Sequence, residues 1–438
     1  MQHPDKLAAG YTFEPILIIR KHYVDGPNTF AYSQKAFGPG AKTTMQQPQL
    51  IKILKLKNIL SFGEAADEIK LGGLNVLIGP NGSGKSNLIE AVSLLQAAPS
   101  SITNPMRRKG GGGVRDWLWQ GRKDNASAEL EAVISNGAAS VDDLRYRFAF
   151  SMVNQRFEMT DESLEFKKPA EGQQEAYFFY KYQNNHPVLN VKAEKRTLKH
   201  EDVDPGSSIL AQRKDPDQYP ELTWVGEQFE KIRIYREWSF GRNADLRKPQ
   251  DADAPNDILD EDCLNLGLVL NYLRRKPAAK RAILQYLGKF YGGIEDFDIS
   301  VSGGTVQLFL QEGDFPIPAT RLSDGTLRFI CLLAILCHPT PPPLVCIEEP
   351  ELGLHPDIIP TLAKLLTEAS ERTQVIVTTH SDILVDELTD TPDCVLVCDK
   401  EDGATSIRNL DSDSLKKWLE KYSLGQLWLK GEIGGTRW

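Results

Sequence analysis

The sequence has no uninterrupted apolar run of about 18 residues, the length a bilayer-spanning helix requires. Its start, Met1-Gln2-His3-Pro4-Asp5, has neither the basic flank nor the apolar core of a secretion signal. No membrane association and a cytoplasmic location are the expectation. An excess of basic charge is also missing: 51 Lys and Arg stand against 60 Asp and Glu, a net charge of −9, which argues against constitutive wrapping of nucleic acid and leaves only local basic patches. Cysteine is scarce and unpaired in sequence. The six cysteines form no C-x-x-C pair with nearby histidines, so they read as buried thiols in a reducing compartment rather than as a zinc site, Cys394 and Cys398 included. No repeat of solenoid length occurs, and Pro169, Pro187, Pro205, Pro216, Pro220, Pro249 and Pro255 interrupt the middle of the chain, which excludes a long coiled coil there.

What is present begins with Gly79-Pro80-Asn81-Gly82-Ser83-Gly84-Lys85-Ser86, a full match to the pattern GxxxxGK[ST]. It follows an apolar run at 74–78 that reads as a strand and precedes Asn87 and a segment of helical spacing. Glycines let backbone N–H groups close around phosphate oxygens, Lys85 balances β/γ charge, and the Ser86 hydroxyl is placed to hold Mg²⁺. The phosphates are then expected at a helix N-terminus. A second apolar run, 344–347, ends in Glu348 and Glu349, after a proline stop at 341–343. A carboxylate at a strand end reaches the Mg²⁺ shell, and the next one polarises a water for attack on the γ-phosphate. A third run, 374–379, ends in His380 at the same carboxyl edge, where parallel sheets bind ligands and where a histidine can bond the γ-phosphate. Finally, Leu322-Ser323-Asp324-Gly325-Thr326 caps an apolar helical segment at 327–336; by itself this is a helix cap or turn, but a Ser/Gly turn at a helix start is also an anion site.

Alternation at 50–57 gives a half-buried first strand, and residues 1–47 form an extension without a placeable motif. More than two hundred residues separate the glycine-rich loop from the Ser323 turn, far more than one connection needs. The expected division is therefore an extension at 1–47, the first part of a nucleotide-binding head at 48–150, a compact inserted lobe at 151–304, and the second part of the head at 305–438. Within the lobe, 144–153 and 156–166 read as meander strands and 263–275 and 278–290 as helices.

The four motifs GPNGSGKS, LSDGT, VCIEEPELGLHP and VIVTTHS, in that order, resemble those of the ABC-type ATPases of the RecF and SMC group, and most of all its small bacterial stand-alone members without coiled-coil arms, similar to RecF and to the ATPase domain of the OLD family. The resemblance covers roughly residues 50–150 and 300–438. It implies an α/β P-loop NTPase with an ABC-type ATPase head and a compact inserted α+β lobe. It further implies ATP and Mg²⁺ as cofactors and a homodimer that sandwiches two ATP molecules, each held by one protomer's loop and the other's Ser323 turn. On that resemblance Ser323 and Gly325, with Asp324 between them in the cofactor-binding turn, address the partner's γ-phosphate, Glu349 is the general base, His380 the switch histidine, and Ser86, Glu348 and a glutamine serve the metal. Gln120, in Trp117-Leu118-Trp119-Gln120-Gly121-Arg122, is the candidate for that glutamine.

Two departures stand out: the family usually has Asp at Glu348 and Gly at Asp324, so slow turnover, added negative charge beside the docking phosphate, and weaker or partner-dependent ATP-driven dimerisation are expected. The resemblance implies use in DNA repair, genome maintenance or phage defence, with DNA or a separately encoded effector protein as further partners. A nucleotide-gated clamp with negligible hydrolysis and a transporter ATPase subunit are its rivals. A built-in nuclease of the OLD kind is disfavoured, because Asp411-Ser412-Asp413 lacks an upstream strand-end glutamate. Basic clusters at Arg107-Arg108-Lys109, at 192–199 and at Arg274-Arg275-Lys276 with Lys280-Arg281 are the candidate DNA contacts.

Overall fold

The structure, a computed structural model, describes residues 48–108, 110–121, 126–136, 142–183, 186–191, 197–200 and 202–435. The extension at 1–47 and residues 192–196 of one basic cluster lie outside them.

Three sheets organise these residues. Ile51–Lys57 buries Ile51, Leu54 and Leu56, and pairs antiparallel with Ala128–Ile134 on one side and the short Ile69–Lys70 on the other. Leu144–Val153, Arg156–Phe166, Phe178–Gln183, His186–Val191 and Thr197–His200 then extend this into one eight-stranded antiparallel sheet. The second sheet has the order Arg233–Tyr235, Leu344–Glu348, Gln374–Thr378, Leu74–Ile78, Val395–Glu401, Ala404–Asn409, parallel except for the last strand. Its central strands are buried on both faces, which is why they read as continuous apolar runs. A third, small antiparallel sheet contains Gln250–Asp251, Ile294–Ser302, Thr305–Glu312 and Phe315–Pro318.

The two faces of the parallel sheet belong to different cores. Leu77, Leu344, Cys346, Ile376 and Leu396 join a core with the antiparallel sheet, and the helix Lys85–Ala97 lies between the two sheets with Leu88, Ile89, Val92 and Leu95 fully buried. Each such side chain contributes about 1.5–3 kcal/mol by leaving water. Val76, Ile78, Val345, Ile347 and Val377 face the other core, against the helix Asp324–Leu336. That helix is buried all round from Thr326 and packs on Leu266–Leu273, Pro277–Phe290 and Ile359–Ser370. The phosphate-loop helix and the helix of the Ser323 turn thus occupy opposite faces of one sheet. Gln374, fully buried, ties the sheets together: its Oε1 accepts from the N–H groups of Leu50 and Ile51, and its Nε2 donates to the carbonyls of Ile51 and Gly72.

The expected boundary at residue 150 falls inside Leu144–Val153, and that at 304 falls in the turn between Ile294–Ser302 and Thr305–Glu312. Residues 151–304 supply strands to the antiparallel sheet, one edge strand to the parallel sheet, and the two helices Leu266–Leu273 and Pro277–Phe290. The first helix starts later than its apolar pattern because the Asn265 side chain donates to the carbonyls of Pro255 and Ile258 and accepts from Asp260 N–H, holding the chain in a turn at Cys263.

One buried carboxyl anchors a segment on the antiparallel sheet. Glu162 accepts from Tyr146 Oη and Ser208 Oγ at 2.6 Å each, and from Ile209 N at 2.9 Å. Burial, opposed by these donors, raises its pKa to about 7. A folded-state value above the ordinary one means that the native state binds the extra proton, so this contribution is complete below the ordinary range and lost as pH rises through about 7. We expect the Glu162→Gln variant, in urea unfolding between pH 5 and pH 8.5, to lose a pH-dependent component on the order of 3 kcal/mol that the wild type shows. A wild-type stability that does not fall across this range would contradict the assignment.

Candidate nucleotide site

The three site strands end side by side, so their last residues converge on one edge of the parallel sheet. After Leu74–Ile78 the loop must turn sharply under the neighbouring strand. A side chain at Gly79 (φ 148°) would put its Cβ 2.2 Å from the Cys398 carbonyl oxygen, and one at Gly84 (φ 103°) would stand 2.1 Å from Thr405 Oγ1. Lys85, buried at the helix start, donates from Nζ to the carbonyls of Gly79 (2.8 Å) and Pro80 (3.1 Å). Burial lowers its pKa, and Cys398, Glu349, Glu348 and Glu351 oppose that shift. Ser83 Oγ is buried without a hydrogen-bond partner among the described residues, while Asn81, Gly82 and Ser86 are exposed at the mouth of the loop. Asn87 donates from Nδ2 to Ser61 Oγ, which also receives the Thr405 hydroxyl.

Two strands away, Glu348 ends Leu344–Glu348. Arg236 Nε is 3.6 Å from its Oε1, beyond hydrogen-bond length, and Arg236 Nη2 bonds Glu90 at 2.9 Å. Glu348 Oε1 is buried with no hydrogen-bond donor among the described residues, and burial pushes its pKa up against the pull of Arg236. Such an orphaned acceptor beside a phosphate loop suits a hard cation. Glu349 follows with left-handed backbone (φ 44°), uncommon for a non-glycine residue, and its N–H donates to Thr378 O at 3.0 Å. Glu349 Oε1 stands 3.7 Å from His380 Nε2. Burial and then Lys85 lower the His380 pKa, so the ring is neutral at pH 7. Glu351 fixes the geometry, with Oε1 accepting from Thr379 Oγ1 (2.7 Å) and His380 N (2.9 Å).

The Ser323 turn is bound to the same edge from the other face of the sheet. Ser323 Oγ accepts from Thr326 N at 3.0 Å, while Ser323 and Asp324 are exposed. A Cβ at Gly325 would lie 2.7 Å from Gly353 O. Arg328, one turn along, donates to the carbonyls of Glu349 (3.1 Å) and Leu352 (2.6 Å), with its guanidinium over the rings of Trp238 and Phe240. The negative charge expected at Asp324 has a partner: Asp324 pairs with Arg247, a buried guanidinium that also donates to the carbonyls of Phe240, Gly241, Ala319 and Leu322.

A family profile described as "AAA domain, putative AbiEii toxin, Type IV TA system" matches residues 74–386, from the strand before the phosphate loop to beyond His380. The chain belongs to this family. No curated protein matches it. Among solved structures it is similar to an Smc head bound to the C-winged helix domain of ScpA, with 15% identity, 84% of this chain and 99% of that one covered, and a TM-score of 0.53. It is also similar to an Smc head domain with an extended coiled coil, bound to the C-terminal domain of ScpA and derived from Pyrococcus furiosus, with 14% identity, coverage of 85% and 99%, and a TM-score of 0.53. The family is thus one of AAA domains, and the fold is that of the Smc head domains.

For this member of the AAA family the structure separates the remaining sequence candidates. Gln120 donates to the carbonyls of Arg115 and Leu118, and it lines a cavity of about 430 Å³ with Ser61, Asn87 and Glu90, beside the phosphate-loop helix. In the basic clusters, Arg274 is paired with Asp298 (2.6 Å) and Lys280 with Asp296 (2.8 Å). Sequence reasoning missed Arg247, Arg236, Arg328, Ser61 and Thr405. They lie in segments whose pattern carries no local signal, except that the apolar helix after Ser323 has Arg328 as its lone charge beyond the first turn. No helix among the described residues is long and apolar enough to cross a membrane.

Proposed function

We propose that this chain binds ATP with Mg²⁺ at residues 79–87 and hydrolyses it, and that two copies close on two nucleotides, each lending its Ser323 turn to the other's site. One arrangement carries this reading: Lys85, the unpartnered Glu348 oxygen and the Glu349–His380 pair meet at one sheet edge, while the Ser323 turn is exposed on the far side of the same sheet. Lys85 exchanges its bonds to Gly79 and Pro80 for the β/γ-phosphates, and Glu349 takes the proton of the attacking water. Ser86, Glu348 and, through the neighbouring cavity, Gln120 are the residues that would hold Mg²⁺, whose chemistry is to neutralise charge on the phosphates. His380 senses the γ-phosphate, and loss of that phosphate releases the Ser323 turn and reopens the dimer.

The family description favours defence against phage over DNA repair as the setting, with a separately encoded effector as the partner of the closed dimer. The internal ion pairs of Arg274 and Lys280 speak against duplex DNA on that surface. A clamp with negligible hydrolysis draws support from Glu348, which stands where the family usually has Asp and whose Oε1 faces the Arg236 guanidinium at 3.6 Å.

Phosphate release from ATP with and without Mg²⁺ tests the reading. The wild type is expected to turn over only with Mg²⁺, the Lys85→Ala variant to lose at least about tenfold in ATP affinity, and duplex DNA to leave the rate unchanged. Strong stimulation by DNA would move the protein to genome maintenance. ATP binding unaffected in Lys85→Ala would remove the site from residues 79–87.

A further inference from the structure

The far end of the described chain returns to the phosphate loop. Beyond the helix Leu424–Leu429, Gly431, Gly434 and Gly435 all have left-handed backbone (φ 77°, 74° and 72°), which folds residues 431–435 into a hook. Three hydrogen bonds that involve side chains hold it. Arg408 Nη2 donates to Ile433 O (2.5 Å), Gly435 N to Asp399 Oδ1 (3.1 Å), and Trp428 Nε1 to Gly435 O (3.2 Å). Asp399 and Arg408 lie on Val395–Glu401 and Ala404–Asn409, the first of which pairs directly with Leu74–Ile78. A Cβ at Gly435 would stand 3.4 Å from Gly79 Cα, 3.3 Å from Trp428 Nε1 and 3.2 Å from Val397 Cγ1. Gly79 is therefore crowded by two segments: the Cys398 carbonyl leaves no room for a Cβ on it, and the hook passes beside its Cα.

We propose that the hook at 431–435 positions the phosphate loop, with Trp428 and Asp399 as positioning residues that act on Gly79 through Gly435. The loop presents backbone N–H groups to phosphate, and a loop already held in shape gives up less freedom when the ligand arrives. Gly79 matters most because it is the hinge between the buried strand and the loop, and its carbonyl is a seat of Lys85. The inference rests on the reading of 79–87 as the nucleotide site, and it deepens that reading by making nucleotide affinity depend on a segment some 350 residues away in sequence.

The test compares wild type, Trp428→Phe and Gly435→Ala in the full chain. The measurements are the Kd for a fluorescent ATP analogue with Mg²⁺, kcat at saturating ATP, and amide hydrogen exchange of residues 79–84 without nucleotide, with the melting temperature as a fold control. Trp428→Phe keeps an aromatic ring in place and deletes one hydrogen bond; it is expected to weaken nucleotide binding roughly fivefold, to speed exchange in the loop, and to leave kcat within about twofold. Gly435→Ala is expected to do the same more strongly, and if it fails to fold, Trp428→Phe decides. Folded variants with wild-type affinity and wild-type loop exchange would overturn the proposal. A wild type that binds no nucleotide would overturn the nucleotide reading instead, and the exchange rates would still show whether the hook holds the loop.

Discussion

The Glu349→Gln variant is expected to bind ATP with Mg²⁺ at close to wild-type affinity, to lose about 10²–10⁴ in phosphate release, and to accumulate as a dimer in the presence of ATP. The residue meets the demands on a general base. It follows the buried strand Leu344–Glu348, its left-handed backbone turns it out of the sheet, and Thr378, Glu351 and Arg328 hold the surrounding loop by hydrogen bonds. Its partner His380 is kept neutral by burial and by Lys85, so at pH 7 the histidine does not tie up the carboxylate as a permanent ion pair. Glutamine preserves shape and hydrogen bonding but cannot take a proton. The γ-phosphate then stays in place, and with it whatever the opposite Ser323 turn holds. Light scattering on the variant with ATP, with ADP and without nucleotide reads the mass directly. A variant with unchanged turnover would support the clamp reading, and a variant that stays monomeric with ATP would remove the two-copy mechanism.

The site was largely visible in the sequence because each of its parts is local. A glycine-rich loop after a buried strand, two carboxylates at a strand end and a histidine at another need only a few consecutive residues to declare themselves, and a strand buried on both faces has to be a continuous apolar run. The signals stop where partners are remote. Leu144–Val153 alternates as a half-buried strand should, but period 2 does not say which sheet a strand joins, and the structure seats it beside Ala128–Ile134. Arg236 directly follows the short strand Arg233–Tyr235 and Arg247 ends the single 3-10 turn Asp245–Arg247, and nothing in their neighbours marks them as the residues that face Glu348 and Asp324. The glycines at 431, 434 and 435 carry no such signal either, and only the fold shows that Gly435 lies beside Gly79.

Arg247→Met should produce the largest loss of stability of any single change near the site, about 3–5 kcal/mol in urea unfolding, together with loss of ATP-driven dimerisation in the Glu349→Gln background. Arg247 is buried, and its guanidinium satisfies the carbonyls of Phe240, Gly241, Ala319 and Leu322 as well as the Asp324 carboxylate. Methionine fills much of the volume and leaves four carbonyl acceptors without their donor, those of Phe240 and Ala319 in buried bonds, which costs more than the lost attraction. The Asp324→Asn variant separates the two contributions. Asp324 is 64% exposed, so removing its charge alone costs on the order of 1 kcal/mol or less. It leaves the carbonyl bonds intact and takes a negative charge away from the surface offered to the partner's phosphate. Dimerisation in Asp324→Asn should therefore be as strong as wild type or stronger, while in Arg247→Met it is lost. If both variants dimerise normally, the Ser323 turn does not meet the partner's nucleotide. If Asp324→Asn alone abolishes dimerisation, the carboxylate itself, and not the scaffold that Arg247 builds beneath it, makes the contact.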